Sequence, residues 1–524
     1  MEDLEGRPLL LGESLGSRFS RFYALWGRTL TASLAVALAV ALVLVVVFVS
    51  LYAAEVNDKT SDSSGGGDSG FVTSCVAPFE PPTEAWLATM RQGLRQRLLS
   101  PAVWQDEAGG GADGLLLLVG LDLTYRNDVE LEFYQETSFL YLTGVDEPGY
   151  SVLIDIASGR TTLFMPARDS TYAIWNGKVL QPAEVKAKYG VDEVLYAPQL
   201  AAALYNRTNQ AALPVYTLVA TAGQRFLTNY TVDNSTLIKA LNFVRPVKSA
   251  EEIELIRIAT DVSAAAHVHL MKSIKPGAFE YNMDGLFINL CYACGLAHQS
   301  YRPIAGAGEA SAILHYTDNN AVMQNGQIFL VDAGGQYLGY TTDITRSYPV
   351  NGEWTEDQVL VYELVLDLQT KGISMMQPAA DYPTLSAELR SYYNRLLLKA
   401  GFVQGELSGL DANSISTYFC PHGFVHHVGL DVHDPGTIGV LKPGYTLTME
   451  PGLYFMDALL RPALNNSKLA PYLVKDKILH FLDTKFGGVR IEDVVLITAQ
   501  GNRVLSAGVP KSVAAIQRLM QPQH

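Results

Sequence analysis

The sequence predicts an α/β (α+β) chain in which two globular domains follow a single membrane-spanning helix. Three observations predict it. The 524 residues, 48% of them hydrophobic, are enough for two apolar cores. Residues 30–54 form a run of 25 without a charge, which at about 1.5 Å per residue exceeds a ~30 Å hydrocarbon layer. Beyond residue 80, short β-prone runs alternate with segments of helical periodicity. The net charge of −15 argues against nucleic acid as a partner, because phosphate binding requires a basic face.

In chain order, residues 1–28 are a polar tail carrying Arg18, Arg21 and Arg28. Residues 29–54 read as a retained signal-anchor. The apolar run is too long for a cleaved signal peptide, and Tyr52 and Leu51 fill the −3 positions for cuts after Ala54 and Ala53. Arginines before the span and Glu55, Asp58 and Asp62 after it leave the N-terminus cytosolic. The chain is thus expected to be a single-pass type II membrane protein with its globular part lumenal or extracellular. Asn206, Asn229, Asn234 and Asn465 each head an Asn-x-Ser/Thr acceptor, in keeping with that side. The tail segment EGRPLL, residues 5–10, resembles an acidic dileucine sorting signal for lysosomal or vacuolar membranes. Residues 55–80 form a linker whose centre, NDKTSDSSGGGDSG, is almost devoid of apolar side chains.

The first globular domain spans residues 81–246. An amphipathic helix is expected over 84–99, with Trp86, Leu87, Met90, Leu94 and Leu98 among its apolar positions, and strands over 115–121, 151–156 and 161–165. The second spans 247–524 and opens on a capping box, Ser249 to Glu252, before a helix with Ile253, Ile256, Ala259 and Val262 on one face. Cys291 and Cys294 lack a second pair for zinc and read as buried thiols; Cys75 and Cys420 are isolated.

The second domain carries the chemistry. In FLVDAGGQYLGYTTDITR, a short strand delivers Asp332, Gly334 and Gly335 turn the chain, and a second strand over 337–342 is expected to bring Asp343 alongside. Two unpaired carboxylates there would repel, which a shared hard cation relieves. His426 in PHGFVHHVGLDVHD, Glu450 in LTMEPGLY and Glu492 in GGVRIEDVVLI also lie in or beside apolar runs, where a lone charge is costly. Two Asp, one His and two Glu on strand-like segments make an oxygen-rich set suited to a carboxylate-bridged two-metal centre.

The order Asp, Asp, His, Glu, Glu within DAGG, TDITR, DVHD, EPGLY and RIED resembles the pita-bread metallopeptidases. Among them it is most similar to the Xaa-Pro peptidases, with prolidase (Xaa-Pro dipeptidase) first and aminopeptidase P next. YQETSFLYLTGVDEPGY and STYAIWNGKV extend the likeness into the first, creatinase-like domain. The resemblance implies a pita-bread catalytic domain and two divalent ions, manganese by ligand type with cobalt or zinc as alternatives. It implies that Asp332 binds one ion, that His426 and Glu450 bind the other, and that Asp343 and Glu492 bridge. A bridging hydroxide would attack the bond before proline while Glu450 passes a proton to the leaving nitrogen. By the same likeness His315 and His433 approach the substrate carbonyl or carboxylate, Tyr301 lines the cleft, Arg490 sits by the bridging carboxylates, and His422 orients a ligand. Trp175 matches a tryptophan that reaches a neighbouring subunit's cleft, which implies a homodimer.

One departure stands out. In prolidase a longer loop after DVHD carries an arginine for the proline carboxylate; here residues 435–441, PGTIGVL, are short and Lys442 is the only nearby cation. Dipeptides and short Xaa-Pro peptides are therefore the expected substrates. The alternatives are an aminopeptidase P acting on longer Xaa-Pro-Yaa peptides and a catalytically inactive membrane-bound binding module. Retention of all five ligands separates the enzyme readings from the last. A zincin is excluded, because Gly423 follows His422 where HExxH needs Glu.

Overall fold

A computed structural model describes residues 80–521 apart from Ala211 and Gly223. The cytosolic tail, the apolar run at 30–54, the linker and Cys75 lie outside the described residues. Among those described, no helix is long and apolar enough to cross a membrane.

The first part of the structure is a mixed six-stranded sheet. Its spatial order is Glu193–Tyr196, Thr161–Met165, Ser151–Asp155, Leu115–Val119, Val215–Tyr216 and Val232–Asp233. The three central strands pair antiparallel, and the outer neighbours pair parallel. Leu115, Leu117, Leu153, Phe164, Leu204, Val215 and Leu227 form one buried cluster against it. The strand expected to reach Leu121 stops at Val119, and Leu121 is exposed. The predicted helix forms as Glu84–Leu98, capped by Thr83 and burying Met90, Leu94 and Leu98. It also buries Arg91 and Arg95, which the apolar pattern does not announce. The Arg95 guanidinium donates to the carbonyls of Leu142 (2.8 Å) and Gly190 (3.0 Å).

The catalytic part opens as the sequence implies. Ser249 caps the helix Ala250–Ser273, and Glu252 closes the capping box. Behind it the strand Ile328–Asp332 is flanked by Ile304–Ala307 and Thr345–Pro349, both antiparallel. The second strand therefore begins after Asp343, not before it. Residues 337–340 make a tight turn, with Leu338 at φ 48° and Gly339 at φ 87°. Tyr and Thr favour strands, but the only strand between the two aspartates is Gly335–Gln336 against His298–Gln299, and Gly334 passes so close that a Cβ there would lie 1.9 Å from the Thr342 carbonyl. Further ladders pair Thr446–Met449 with Asp493–Thr498, and Gly452–Tyr454 with Gly488–Arg490. Pro451 has no N–H to donate, and the ribbon breaks there, leaving Glu450 and Glu492 facing each other across the gap.

Candidate active site

Each of the five predicted metal-ligating residues is held by a different device. Asp332 ends its strand opposite Thr345, and Asp343 lies two residues before that partner strand. The Tyr301 hydroxyl lies between both carboxylates, its one hydrogen shared between Asp332 Oδ1 and Asp343 Oδ1. Glu450 and Glu492 flank the break in the ribbon, and the Glu492 N–H donates to the Thr345 carbonyl at 3.0 Å. His426 corrects the expectation that all five sit on strand-like segments. It lies in irregular chain beside a strand edge, where its N–H and carbonyl bond Thr448.

The geometry converges. Ligand atoms of Asp343, His426 and Glu492 all lie within 4.8 Å of one another. Asp332 and Glu450 line the same cavity of about 260 Å³, with His315, His422, His433 and Arg490. The His426 Nε2 is 3.2 Å from Glu450 Oε1 and 3.5 Å from Asp343 Oδ2. Its Nδ1 is 3.0 Å from the His427 carbonyl; a carbonyl only accepts, so Nδ1 carries a hydrogen and Nε2 is the ring atom turned towards the carboxylates.

Burial, together with the charge of Asp332, pushes the Asp343 carboxyl up to about 7. Burial, with Asp343 and Glu450 as neighbours, holds Glu492 well above the usual carboxylate range. Such crowding is relieved by a divalent cation, and four carboxylates with one imidazole suit a hard or borderline ion. The residues present therefore fit a metal ion.

Around these ligands the remaining predicted residues take distinct places. The Arg490 guanidinium donates to Asp332 Oδ2 (2.6 Å), the Tyr454 hydroxyl (3.0 Å) and Thr345 Oγ1 (3.1 Å). His422 lies with Nε2 2.8 Å from the Tyr454 hydroxyl and Nδ1 3.5 Å from Glu450 Oε2. His433 packs edge-on against His426, ring centroids 4.5 Å apart; burial, then the charge of His426, lowers its pKa. His427 is buried. Trp175 does not join the group. It stands 82% exposed on the helix Ser170–Asn176, which buries nothing against this chain.

Sequence reasoning missed three supports. Thr345 Oγ1 donates to Glu492 Oε2 at 2.6 Å while accepting from Arg490. Tyr454 links His422 to Arg490; its place two residues after Gly452 in EPGLY was the available signal. Asp434 of DVHD is buried between Arg245 (2.6 Å) and Lys248 (2.9 Å), and nothing in the sequence ties those segments together. Cys291 is a buried thiol as expected, whereas Cys294, expected to be buried too, is only half-buried; Cys420 is buried.

A cleft ringed by carboxylates, the His426 imidazole and three further histidines defines a metal-dependent hydrolase. Comparison with known proteins makes this specific. Residues 254–499 match the model of metallopeptidase family M24, and residues 89–216 match the aminopeptidase P N-terminal domain. The chain is 34% identical over 469 residues to a human protein named Xaa-Pro dipeptidase, covering 83% of this chain and 93% of that one. It is 31% identical over 437 residues to a Talaromyces marneffei protein named probable Xaa-Pro aminopeptidase, covering 79% and 93%. Zinc-substituted Escherichia coli aminopeptidase P in complex with product superposes with a TM-score of 0.73 at 28% identity, covering 83% and 99%. The chain belongs to metallopeptidase family M24, with the α/β pita-bread fold behind an aminopeptidase P-type N-terminal domain.

Proposed function

We propose that this chain hydrolyses the peptide bond preceding proline in Xaa-Pro dipeptides and short Xaa-Pro peptides. The observation that carries the reading is the convergence of Asp343, His426 and Glu492 in one cavity with Asp332 and Glu450. The names of the relatives support the substrate class. Asp332, Asp343, His426, Glu450 and Glu492 would hold two divalent ions, manganese by ligand type, with Asp343 and Glu492 shared between them. Such a pair supplies an acidified water and a polarised scissile carbonyl.

The chain's own residues do the rest. Arg490 and Tyr301 fix the Asp332 carboxylate by donating to its two oxygens. His422 and Thr448 hold Glu450, whose carboxylate takes a proton and delivers it to the proline nitrogen, a poor leaving group until protonated. His315 and His433, both lining the cavity, steady the carbonyl oxygen as charge develops. Trp175, exposed as it is, would reach a second subunit's cleft in a homodimer. Residues 29–54 would anchor the enzyme as a type II membrane protein, and the segment at 5–10 would direct it to a lysosomal or vacuolar membrane.

A second reading, cleavage of longer Xaa-Pro-Yaa peptides, is favoured by the short 435–441 loop. Lys442 does not replace the missing arginine, because its ammonium lies 5.3 Å over the Phe243 ring and lines none of the cavities at the site. Detergent-purified full-length protein should cleave both Gly-Pro and Gly-Pro-Ala, the dipeptide with weak affinity, in manganese, cobalt or zinc. A hundredfold preference in kcat/KM for the dipeptide would restore a strict dipeptidase. No cleavage of either peptide with any of the three metals would sink the peptidase reading.

A further inference from the structure

His433 lines two cavities, which differ in their cations and in whether they reach the metal-ligand cluster. One, of about 470 Å³, is lined by Asp146 and Asp431 and, among the described residues, by no lysine or arginine. Asp431 is fixed there by Arg245 and by the Thr137 hydroxyl, both at 2.9 Å. The other, of about 290 Å³, is shared by His315, His433, Asp332 and Asp343 and is walled by Tyr301, Ile304, Thr317 and Val432. It holds one permanent cation, Arg302.

Arg302 differs from the other arginine of the site. Arg490 is buried and its donors are committed to Asp332, Tyr454 and Thr345. Arg302 is exposed and, among the described residues, the pairs formed by arginine and lysine with carboxylates do not include it. A guanidinium offers two parallel donors that match a carboxylate. Held at the mouth of a cleft, with its donors free, it attracts that group and places it bidentately. Its backbone is fixed: Pro303 follows it, and the strand from Ile304 pairs with Asp332. The side chain is therefore tethered beside the ligand cluster and remains free to swing over the cavity.

We infer that Arg302 and the cavity beside His315 and His433 form a carboxylate subsite for the peptide substrate. The inference rests on the Xaa-Pro peptidase reading above and assigns it a specificity-determining residue. The carboxylate has two sources in such substrates: the free C-terminus of a short peptide, or an acidic side chain on the residue before proline. An exposed guanidinium is screened by salt, so it holds a carboxylate less firmly than a buried one.

The test compares wild type with Arg302→Gln on Gly-Pro-Ala, Gly-Pro-Ala-amide, Glu-Pro-Ala-amide and Gln-Pro-Ala-amide, at fixed metal and pH. If the subsite reads the C-terminus, the kcat/KM ratio of peptide acid to amide falls about tenfold in the variant, through KM. Arg302→Lys, which keeps the charge and loses the fork, restores part of that ratio. If it reads a side chain, the ratio of Glu-Pro-Ala-amide to Gln-Pro-Ala-amide falls instead. In either case the affected ratio declines with added salt in wild type and not in Arg302→Gln. Unchanged ratios for both pairs overturn the subsite and leave the peptidase reading intact. Failure of wild type to cleave any of the four peptides overturns that reading itself.

Discussion

At the scale of single residues, the Tyr301 hydroxyl bridging Asp332 and Asp343 shows why these carboxylates are not interchangeable with their amides. An amide at 343 brings hydrogen donors to a place where Tyr301 donates and His426 Nε2 approaches at 3.5 Å. Asp343→Asn should therefore abolish turnover and lower bound metal, with the thermal midpoint nearly unchanged; near wild-type turnover at normal metal content would remove Asp343 from the site. A second residue sets an acid limit on the fold. His267 is fully buried behind the DAGG turn, its Nε2 donating to the Ala333 carbonyl at 2.9 Å and its Nδ1 without a partner. Burial lowers its pKa from 6.5 to about 4. The unfolded chain thus gains a proton near pH 6.5 that the folded chain refuses until about pH 4. Stability supplied by the neutral ring is complete above pH 6.5 and is lost as pH falls through that window, about 2 kcal/mol of it by pH 5. Melts of wild type and His267→Gln at pH 7.5 and pH 5 should show a smaller acid loss for the variant. Equal losses would place the acid sensitivity elsewhere.

At the scale of elements, the DVHD turn is a charged joint between the two halves of the chain. Asp434 accepts from Arg245 and Lys248, and Asp431 accepts from Arg245 and Thr137. The turn itself is tight, because a Cβ on Gly429 would meet the Asp434 carboxylate at 2.5 Å. Asp434→Asn would leave the buried Lys248 uncompensated and Arg245 with Asp431 alone, a loss on the order of 3–5 kcal/mol. Adding Lys248→Met should recover part of it, since one buried charge is then removed; strictly additive losses in denaturant melts would show that the pair is not coupled. These contacts mark where the sequence is legible. The strand carrying Asp332, the capping box at Ser249 and the amphipathic helix from Glu84 follow from local pattern, because burial and capping repeat with the period of the element. The turn at 337–340 does not, since its Tyr residues have strand propensity while the chain turns there with Leu338 and Gly339 at positive φ. Nor do Arg91, Arg95, Arg245 and Lys248, which composition assigns to solvent and the fold buries. All five metal-ligating candidates were readable from motif order. Tyr454 stood in the EPGLY motif, but its bonds to His422 and Arg490, like the support at Thr345, depend on which strands meet.

At the scale of the whole molecule, the proposed anchor would set the side of a membrane on which the cleft works. The described residues carry no helix suited to crossing, and residues 30–54 with their flanks carry that proposal. Arg18, Arg21 and Arg28 precede that run and Glu55, Asp58 and Asp62 follow it, which would retain the N-terminus in the cytosol. The four glycan acceptors add an independent constraint. Asn206, Asn229, Asn234 and Asn465 are all exposed in the folded structure, so sugars there would not disturb the core. Full-length protein isolated from cells should therefore lose apparent mass on treatment with an N-glycosidase, and changing all four Asn to Gln should abolish the shift. In sealed microsomes, protease added outside should leave the globular part intact until detergent is added. An unshifted band together with digestion in intact microsomes would reverse the orientation and put the cleft in the cytosol. Protection without a shift would keep the orientation and leave the acceptors unused. A shift with protection would also give the acid limit at His267 a physical setting, because an anchored lumenal enzyme meets falling pH along the route to an acidic compartment.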